Sequence, residues 1–415
     1  MGKIDVFTVV FAGNKSVYYP GEVLNGAVIL KLNKELKLRE LKIEFHGEAR
    51  VRWSQSSGSG NNRRTHTYHN SEVYINTCAT LFGKAPGAKD SPVLQPGEYN
   101  YPFQFHIPPN NLPSSFEGQH GHIRYWLKAV IDRPWRFDVT TKVAFSMIEI
   151  VDINLNNLVC PLQQETSEQL GSLCCVAGRL EIISATDRGG YCPGELINAS
   201  LYITNNSSQD LPGIELSLHQ TTTFIASTGR TRQTKNTVQQ VQHEGVQRGN
   251  DGHFPSIAVA IPAVPPTMSS CKCIKINYDL KIKIRVSGCH SNCKLKFPVV
   301  VGSVPYYRPP LPPVQPMQYH QPALQPSAPM LPMGEEASPS GMNTALPAYS
   351  PSAPNPQDQP PSYAQCMFGG ASIRDDADGQ GAMGNMNFVP VYPFVNNYQI
   401  PPPQAANAPV PAYKS

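Results

Sequence analysis

The sequence predicts an all-β protein with two tandem β-sandwich domains of the immunoglobulin-like kind, followed by a disordered proline-rich tail. Three observations lead to this prediction. One turn-and-strand segment occurs twice, strand-like runs separated by turn residues fill the first 302 positions, and 24 of the 41 prolines lie from Pro305 onward. Short strands with turn signals between them are typical of a sandwich.

The repeated segment is a tight turn that leads into a strand. Residues 20–27 (PGEVLNGA) and 193–200 (PGELINAS) each continue into an apolar run. Pro presets the first central position of a turn, and Gly permits the backbone that the second requires. A second pair of anchors, residues 123–128 (IRYWLK) and 276–281 (INYDLK), follows in the same order. A repeat of this length indicates two copies of one domain.

Alternation of apolar and polar residues divides the first half into strands. The pattern predicts strands over residues 4–11, 23–32, 41–45, 72–82, 99–107, 123–131 and 139–148. Residues 54–70 are rich in Ser, Gly and Asn, so we expect a mobile loop there.

In the second half, the predicted strands cover residues 176–184, 195–204, 214–223, 234–242, 256–261, 274–286 and 294–301. The clearest is 274–286, where apolar and polar residues alternate strictly. The predicted organisation is therefore a first domain over 1–150, a connector over 151–172, a second domain over 173–302 and a disordered tail over 303–415.

The charge balance limits the classes of partner. The chain carries a net charge of +4 with a pI of about 8.4, too mild to indicate nucleic-acid binding but compatible with acidic lipid headgroups or phosphorylated peptides. The sequence shows neither a signal peptide nor an apolar run of the roughly 20 residues that a spanning helix needs. We therefore expect a cytoplasmic protein with free thiols. For Cys174 and Cys175, palmitoylation and simple packing both stay open.

The tail is expected to be disordered because its composition cannot bury enough apolar surface to offset the entropy of ordering. It contains a PPxY motif at Pro360, Pro361 and Tyr363. Composition alone predicts roughly 0.4 copies in such a tail, so a chance match is the alternative to a binding site. A WW domain binds such a motif by laying the proline pair across an aromatic groove and accepting the tyrosine ring in a neighbouring pocket. Two weaker LPxY-like segments contain Pro347 and Tyr349, and Pro411 and Tyr413.

The tetrapeptide Pro-Ser-Ala-Pro also occurs twice in the tail. Its copies are Pro326, Ser327, Ala328, Pro329 and Pro351, Ser352, Ala353, Pro354. Composition alone predicts roughly 0.05 copies, so two copies are hard to attribute to chance. The tetrapeptide resembles the motif that the UEV domain of ESCRT-I binds.

The cysteines raise the question of a zinc site, since Cys271, Cys273, Cys289 and Cys293 have suggestive spacing. A strand over 274–286 would separate the first pair from the second by about 40 Å, at roughly 3.3 Å per residue. We therefore expect free thiols, no metal site and no cofactor. No hydrolase, P-loop or zinc-protease signature is present, so we do not expect an enzyme.

A basic row alternates with the apolar face of the predicted strand 274–286 and continues on the next strand. Its members are Lys275, Lys281, Lys283, Arg285, Lys294 and Lys296. The row has two interpretations: contact with acidic phosphate groups, or a solvated face whose lysines discourage aggregation.

Several motifs together resemble the arrestin domain-containing (α-arrestin) family. They are residues 19–22 (YPGE), 103–105 (FQF), 115–118 (SFEG), 123–129 (IRYWLKA), 133–135 (RPW), 190–195 (GYCPGE) and 295–302. The resemblance covers residues 1–302 and implies two arrestin-type sandwich domains.

The resemblance also implies a function. A member of this family would be an adaptor that links membrane cargo, such as G-protein-coupled receptors and transporters, to HECT-type ubiquitin ligases through their WW domains. It would promote ubiquitination, endocytosis and endosomal transport as a peripheral protein at the plasma membrane and endosomes. The alternative is a factor that recruits ESCRT-I for vesicle budding at the plasma membrane through the Pro-Ser-Ala-Pro motifs.

Overall fold

The computed structural model describes residues 3–58, 62–83, 91–109, 112–170, 178–288, 291–307, 370–374, 382–384 and 386–395. Within this part of the chain, helix is limited to a 3-10 turn at Ala12–Asn14 and one α-helical turn, α1, at Asn156–Val159. Strands form nearly everything else, so the predicted all-β class is confirmed.

The first domain consists of two packed sheets and a short accessory ladder. Its strands are β1 (Ile4–Phe11), β2 (Val17–Tyr18), β3 (Val23–Leu32), β4 (Leu36–Lys37), β5 (Glu40–Ser57), β6 (Arg64–Gly83), β7 (Val93–Leu94), β8 (Gly97–His106), β9 (Phe116–Gly118), β10 (Gly121–Asp132) and β11 (Val139–Met147). One sheet has the order β1-β3-β8, and the other has the order β2-β11-β10-β5-β6 with β9 on β10. Phe45, Tyr125 and Phe145 are fully buried between the sheets.

The second domain repeats this arrangement. Its strands are β12 (Leu162–Leu170), β13 (Gly178–Thr186), β14 (Gly190–Tyr191), β15 (Leu196–Asn206), β16 (Leu211–Ile225), β17 (Thr231–Val246), β18 (Asp251–Ala260), β19 (Ile274–Arg285) and β20 (Cys293–Val301). The sheets have the orders β12-β13-β15-β18 and β14-β20-β19-β16-β17. In both domains a two-residue strand, β2 or β14, pairs in parallel with the last long strand, β11 or β20.

The repeated Pro-Gly-Glu turn has the same geometry in both domains. Gly21 and Gly194 have φ values of 87° and 96°, which the second central position of a type II turn requires. The turn closes with a backbone bond from Glu22 N–H to the Tyr19 carbonyl at 3.2 Å, and from Glu195 N–H to the Cys192 carbonyl at 3.0 Å. The repeat predicted from sequence is therefore a repeat of structure.

The second pair of repeated segments, 123–128 and 276–281, also makes the same contact in both domains. The Tyr125 hydroxyl donates to the Pro113 carbonyl at 2.9 Å, and the Tyr278 hydroxyl donates to the Pro265 carbonyl at 2.6 Å. Both rings are buried. Each tyrosine thus fastens the loop that precedes it in the chain to the core of its own domain.

One expectation was wrong. Residues 54–70 were expected to form a mobile loop, but β5 and β6 extend through most of this segment as a long hairpin, apart from residues 59–61 outside the described range. Cross-strand hydroxyl pairs, Ser54 with Thr67 at 3.1 Å and Ser56 with Thr65 at 3.0 Å, line the exposed hairpin. Polar composition misled the prediction, because Ser and Thr also pair across strands.

Two further segments add to the predicted organisation. The connector 151–172 contains β12, which pairs with β13 along its whole length and so belongs to the second domain's sheet. Within the described residues of the tail 303–415 there are three short strands: β21 (Ala371–Ser372), β22 (Ala382–Met383) and β23 (Asn387–Phe388).

The tyrosine anchors can be tested by deleting single hydroxyl groups. Tyr278→Phe leaves two buried partners unsatisfied, the Pro265 carbonyl and the Gln220 amide that donates to the phenol at 2.7 Å. Tyr125→Phe leaves only the Pro113 carbonyl. We expect losses of about 2 and about 1 kcal/mol in the free energy of unfolding, measured by urea denaturation. Tyr202→Phe, at an exposed site, is the control, and equal losses for all three variants would contradict the assignment.

Candidate functional site

The predicted tail motifs fall outside the described residues. This applies to the PPxY residues Pro360, Pro361 and Tyr363, to the LPxY-like segments at 347–349 and 411–413, and to both Pro-Ser-Ala-Pro copies at 326–329 and 351–354. Cys174 and Cys175 also lie outside them. These remain sequence predictions.

The basic row lies where the sequence placed it, on the outward face of β19 and β20. The register puts Lys281 opposite Lys296 and Lys283 opposite Lys294. Like charges directly opposite one another on a sheet repel. The strands thus hold two facing lysine pairs side by side, and an anion between them would relieve that repulsion.

Acidic neighbours neutralise part of this row. Lys296 pairs with Asp279 at 3.0 Å, and Arg285 pairs with Glu215 at 3.2 Å. The Lys275 ammonium donates to the Ser269 carbonyl. A recess of about 470 Å³ borders Lys281 and Lys296 and provides room for a phosphate group.

The most extensive site that sequence reasoning missed is a C-terminal strap, which we define as residues 370–374, 382–384 and 386–395. β21 pairs with β23 within the strap, and β22 adds in parallel to the edge of β11 opposite Thr140 and Thr141. Four of its residues are buried: Pro390, and Ile373, Phe388 and Tyr392, whose side chains are 2%, 7% and 1% exposed. The strap therefore covers the outer face of β10 and β11 as a packed layer.

Beneath the strap, charged side chains of the first domain bind its backbone. The Lys142 ammonium is 4.4 Å from the centre of the Trp126 ring and donates to the Ile373 carbonyl at 2.9 Å. Arg124 donates to the Ser372 carbonyl at 3.1 Å and forms a bidentate pair with Glu117. Burial raises the pKa of Glu117, and Arg124 opposes that rise. Strap carbonyls thus complete the coordination of two cations on this face.

The end of the strap reaches the second domain. The Tyr392 hydroxyl donates to the Ser115 carbonyl at 3.0 Å, and Val391 N–H donates to Ser146 Oγ at 2.8 Å. Val395 N–H then donates to the Pro193 carbonyl, in the Pro-Gly-Glu turn of the second domain, at 3.0 Å. The strap contacts both domains. The available sequence signal was the apolar run 388–395 (FVPVYPFV) inside an otherwise polar tail.

A cysteine cluster lies where β6 of the first domain meets the second. Donor atoms of Glu72, Cys271 and Cys273 lie within 4.8 Å of one another. The Glu72 carboxylate accepts from the Tyr74 hydroxyl and the Lys272 N–H, each at 2.9 Å. The hydrogen bond from Cys273 lowers the pKa of the Cys271 thiol. Among the described residues, these three side chains are the group that could hold a metal ion. In the structure they form a hydrogen-bonded cluster.

A zinc site built from Cys271, Cys273, Cys289 and Cys293 would require the two cysteine pairs to meet, and the strand between them keeps them apart, as the sequence indicated. β19 is continuous, Cys273 immediately precedes its first residue, and Cys293 pairs opposite Ile284 near its other end. Cys289 lies outside the described residues. Glu72, a partner from the other domain, could not have been found by spacing.

Comparison with known proteins defines the class. Residues 7–154 match the model "Arrestin (or S-antigen), N-terminal domain", and residues 177–306 match "Arrestin (or S-antigen), C-terminal domain". The two sandwiches are therefore arrestin domains.

Relatives of this chain include arrestin domain-containing proteins. Arrestin domain-containing protein 4 of Mus musculus is 30% identical over 312 residues, which cover 74% of this chain and 73% of the relative. Arrestin domain-containing protein 17 of Caenorhabditis elegans is 28% identical over 319 residues, covering 74% and 72%. Thioredoxin-interacting protein of Homo sapiens is 27% identical over 302 residues, covering 72% and 75%. The chain belongs to the arrestin domain-containing (α-arrestin) family, as its motifs predicted.

The strap can be detached at one residue. Tyr392→Ala removes a fully buried ring that packs on Ile148 and a hydrogen bond to Ser115. We expect a local loss of about 3 kcal/mol, seen as faster amide hydrogen exchange in residues 386–395 and at Thr140 and Thr141. Tyr202→Ala, in the second domain, should leave both regions unchanged. Unaltered exchange in Tyr392→Ala would show that the strap does not depend on this anchor.

The face beside the strap should respond to acid. Burial lowers the pKa of His122 to about 3, helped by Arg124, Arg50 and Lys142 and opposed by Glu48. Below its unfolded pKa near 6.5, the unfolded chain binds a proton that the folded chain does not, so stability falls as pH falls. From pH 7 to 5 we expect wild type to lose about 1–2 kcal/mol more than His122→Gln, measured by urea unfolding followed by tryptophan fluorescence. The exposed His66→Gln is the control, and parallel pH profiles would contradict the prediction.

Proposed function

We propose that this arrestin-family adaptor links membrane cargo, such as G-protein-coupled receptors and transporters, to HECT-type ubiquitin ligases with WW domains. Cargo ubiquitination, endocytosis and endosomal transport would follow. The two arrestin domains and the arrestin domain-containing relatives support the adaptor role. We assign no catalytic step to the chain, because an adaptor of this kind works by binding.

The observation that carries the proposal is the position of the strap relative to the PPxY motif. Tyr363 precedes Gly370, the first residue of the strap, by seven positions. A fully extended chain spans at most about 24 Å over that length. While the strap is bound, a WW domain at Pro360, Pro361 and Tyr363 therefore stays close to the first arrestin domain. A cargo held by that domain would then lie close to the ligase.

We place the protein at the cytoplasmic side of the plasma membrane and endosomes as a peripheral component. The facing lysine pairs of β19 and β20 support this location, because acidic headgroups would relieve their repulsion. In the part of the chain that the structure describes, no helix has both the length and the apolar character needed to cross a membrane.

A second candidate function is ESCRT-I recruitment for vesicle budding. Its specific support is the duplication of Pro-Ser-Ala-Pro, with the second copy ending at Pro354, six positions before the PPxY motif. Substituting Ser327, Ala328, Ser352 and Ala353 and counting released vesicles tests this function. Loss of release with unchanged ligase binding would favour budding.

Tyr363→Ala tests the ligase contact. Losing a buried aromatic anchor should cost about 2 kcal/mol, or roughly 30-fold in affinity for the WW domains of a HECT ligase, measured by titration with the full chain. Tyr349→Ala and Tyr413→Ala are matched controls in the LPxY-like segments, and we expect smaller effects from them. If Tyr363→Ala binds as tightly as wild type, the PPxY motif is not the ligase site.

A further inference from the structure

The loop between β10 and β11 displays two large side chains to solvent. Trp135 is 98% exposed and Phe137 is 93% exposed, and no other large hydrophobic side chain of the described residues exceeds 67%. The other two tryptophans, Trp53 and Trp126, are 6% and 8% exposed. Adjacent exposed aromatic rings are the mark of an interaction site rather than of an ordinary loop.

The backbone holds these rings outward at a cost. Trp135 has a φ of 60°, and among the described residues only Asn14 shares a positive φ without being glycine. Such a conformation costs about 1–2 kcal/mol for a bulky residue and persists only where its surroundings impose it.

Two arginines impose the positive φ of Trp135 by holding the loop closed. Arg133 donates to the Phe137 carbonyl from both Nε and Nη2, which closes the loop. Arg39 holds the base of the loop by pairing with Asp132 at 3.2 Å and donating to the Arg133 carbonyl at 3.3 Å. The exposure of Trp135 is therefore a built feature of the fold.

A cationic notch lies directly beside the rings. Its volume is about 430 Å³, and its charged lining residues are Lys3, Lys37, Arg133 and Arg136. Burial lowers the pKa of Arg133, and the charge of Arg136 lowers it further, while Asp138 opposes the effect. Cations that approach each other in this way favour an anionic ligand with several oxygen acceptors, such as a phosphate.

We propose that the loop 133–138 is a membrane-interface anchor that takes an anionic phospholipid. Trp135, whose indole N–H gives the ring a polar edge, lies in the headgroup layer, Phe137 reaches the boundary with the acyl chains, and the notch receives the lipid phosphate. Apolar rings and several cations at one loop tip match a lipid surface. A protein hot spot would instead surround its anchor with a rim that excludes water.

This inference goes beyond the adaptor function, because the loop binds lipid whether or not a ligase is recruited. It also differs from the contact proposed for the lysine row of β19 and β20. The two surfaces can be removed separately, and the experiment compares them.

The test is intrinsic tryptophan fluorescence with co-sedimentation, using the full chain and vesicles of phosphatidylcholine with or without phosphatidylserine. Because Trp53 and Trp126 are already buried, a blue shift reports on Trp135. We expect a blue shift and sedimentation with the anionic vesicles. Phe137→Ala should weaken vesicle binding at least about tenfold, and Trp135→Ala should abolish the blue shift as well.

Variants of the notch and of the lysine row separate the two surfaces. The Lys37→Gln, Arg136→Gln pair should lose the preference for anionic vesicles, whereas the Lys281→Gln, Lys296→Gln pair should keep the blue shift. Tyr363→Ala should bind vesicles like wild type, so failure of the ligase proposal leaves this result unaffected. Trp135, Phe137 and Arg136 lie on the loop, whereas Lys37, Lys281 and Lys296 lie on strands. Circular dichroism checks that each variant folds.

Two outcomes would overturn the proposal. The first is an emission maximum of wild type that anionic vesicles leave unchanged. If a cargo peptide shifts the maximum and the vesicles do not, the loop binds protein and not lipid. The second is vesicle binding by the Trp135→Ala, Phe137→Ala variant that equals wild type.

Discussion

The rest of the structure depends on one interaction, in which the glutamate of each Pro-Gly-Glu turn binds a backbone N–H of its own turn and a nearby cation. Glu22 accepts the N–H of Tyr19 at 3.0 Å and pairs with a lysine at 2.8 Å. Glu195 accepts the N–H of Cys192 at 2.9 Å and pairs with Arg188 at 3.0 Å. In each domain that cation also lies over the buried tyrosine that precedes the turn. One charged side chain thus joins the turn to the parallel two-residue strand, and through it to the sheet.

The strap depends on this turn. Its last described residue, Val395, donates to the carbonyl of Pro193, and a methyl group on Gly194 would lie 2.6 Å from the Val395 carbonyl oxygen. The equivalent position in the first domain, Gly21, has its nearest neighbour at 3.7 Å, in Pro109. The second turn therefore does two things that need glycine: it adopts a positive φ, and it admits another backbone at close range. The turn occurs in both domains, and the copy in the second domain binds the backbone of the strap.

The sequence predicted what depends on local periodicity. The strand at Ile274–Arg285 was found almost to the residue, because one buried face enforces alternation. What it did not predict depends on distant partners. The ends of the β5–β6 hairpin are polar on both faces, so no hydrophobic period marks them. Tyr392 is buried only because a face some 250 positions earlier receives it, and Glu72 meets its cysteines only across the domain boundary.

The strap also changes how the proposed ligase motifs act together. Tyr363 and Tyr413 lie 50 positions apart, and an unattached chain of that length would behave as one flexible linker. With the strap bound, seven positions separate Tyr363 from Gly370 and eighteen separate Val395 from Tyr413, distances of at most about 24 Å and about 60 Å. The distance between the two motifs is then limited by these two lengths and the span of the strap, and no longer by the full 50 positions of chain. Effective concentration falls steeply when a linker cannot match the span between two sites. A ligase with several WW domains would therefore engage both motifs only where the spacing of its domains falls within that limit.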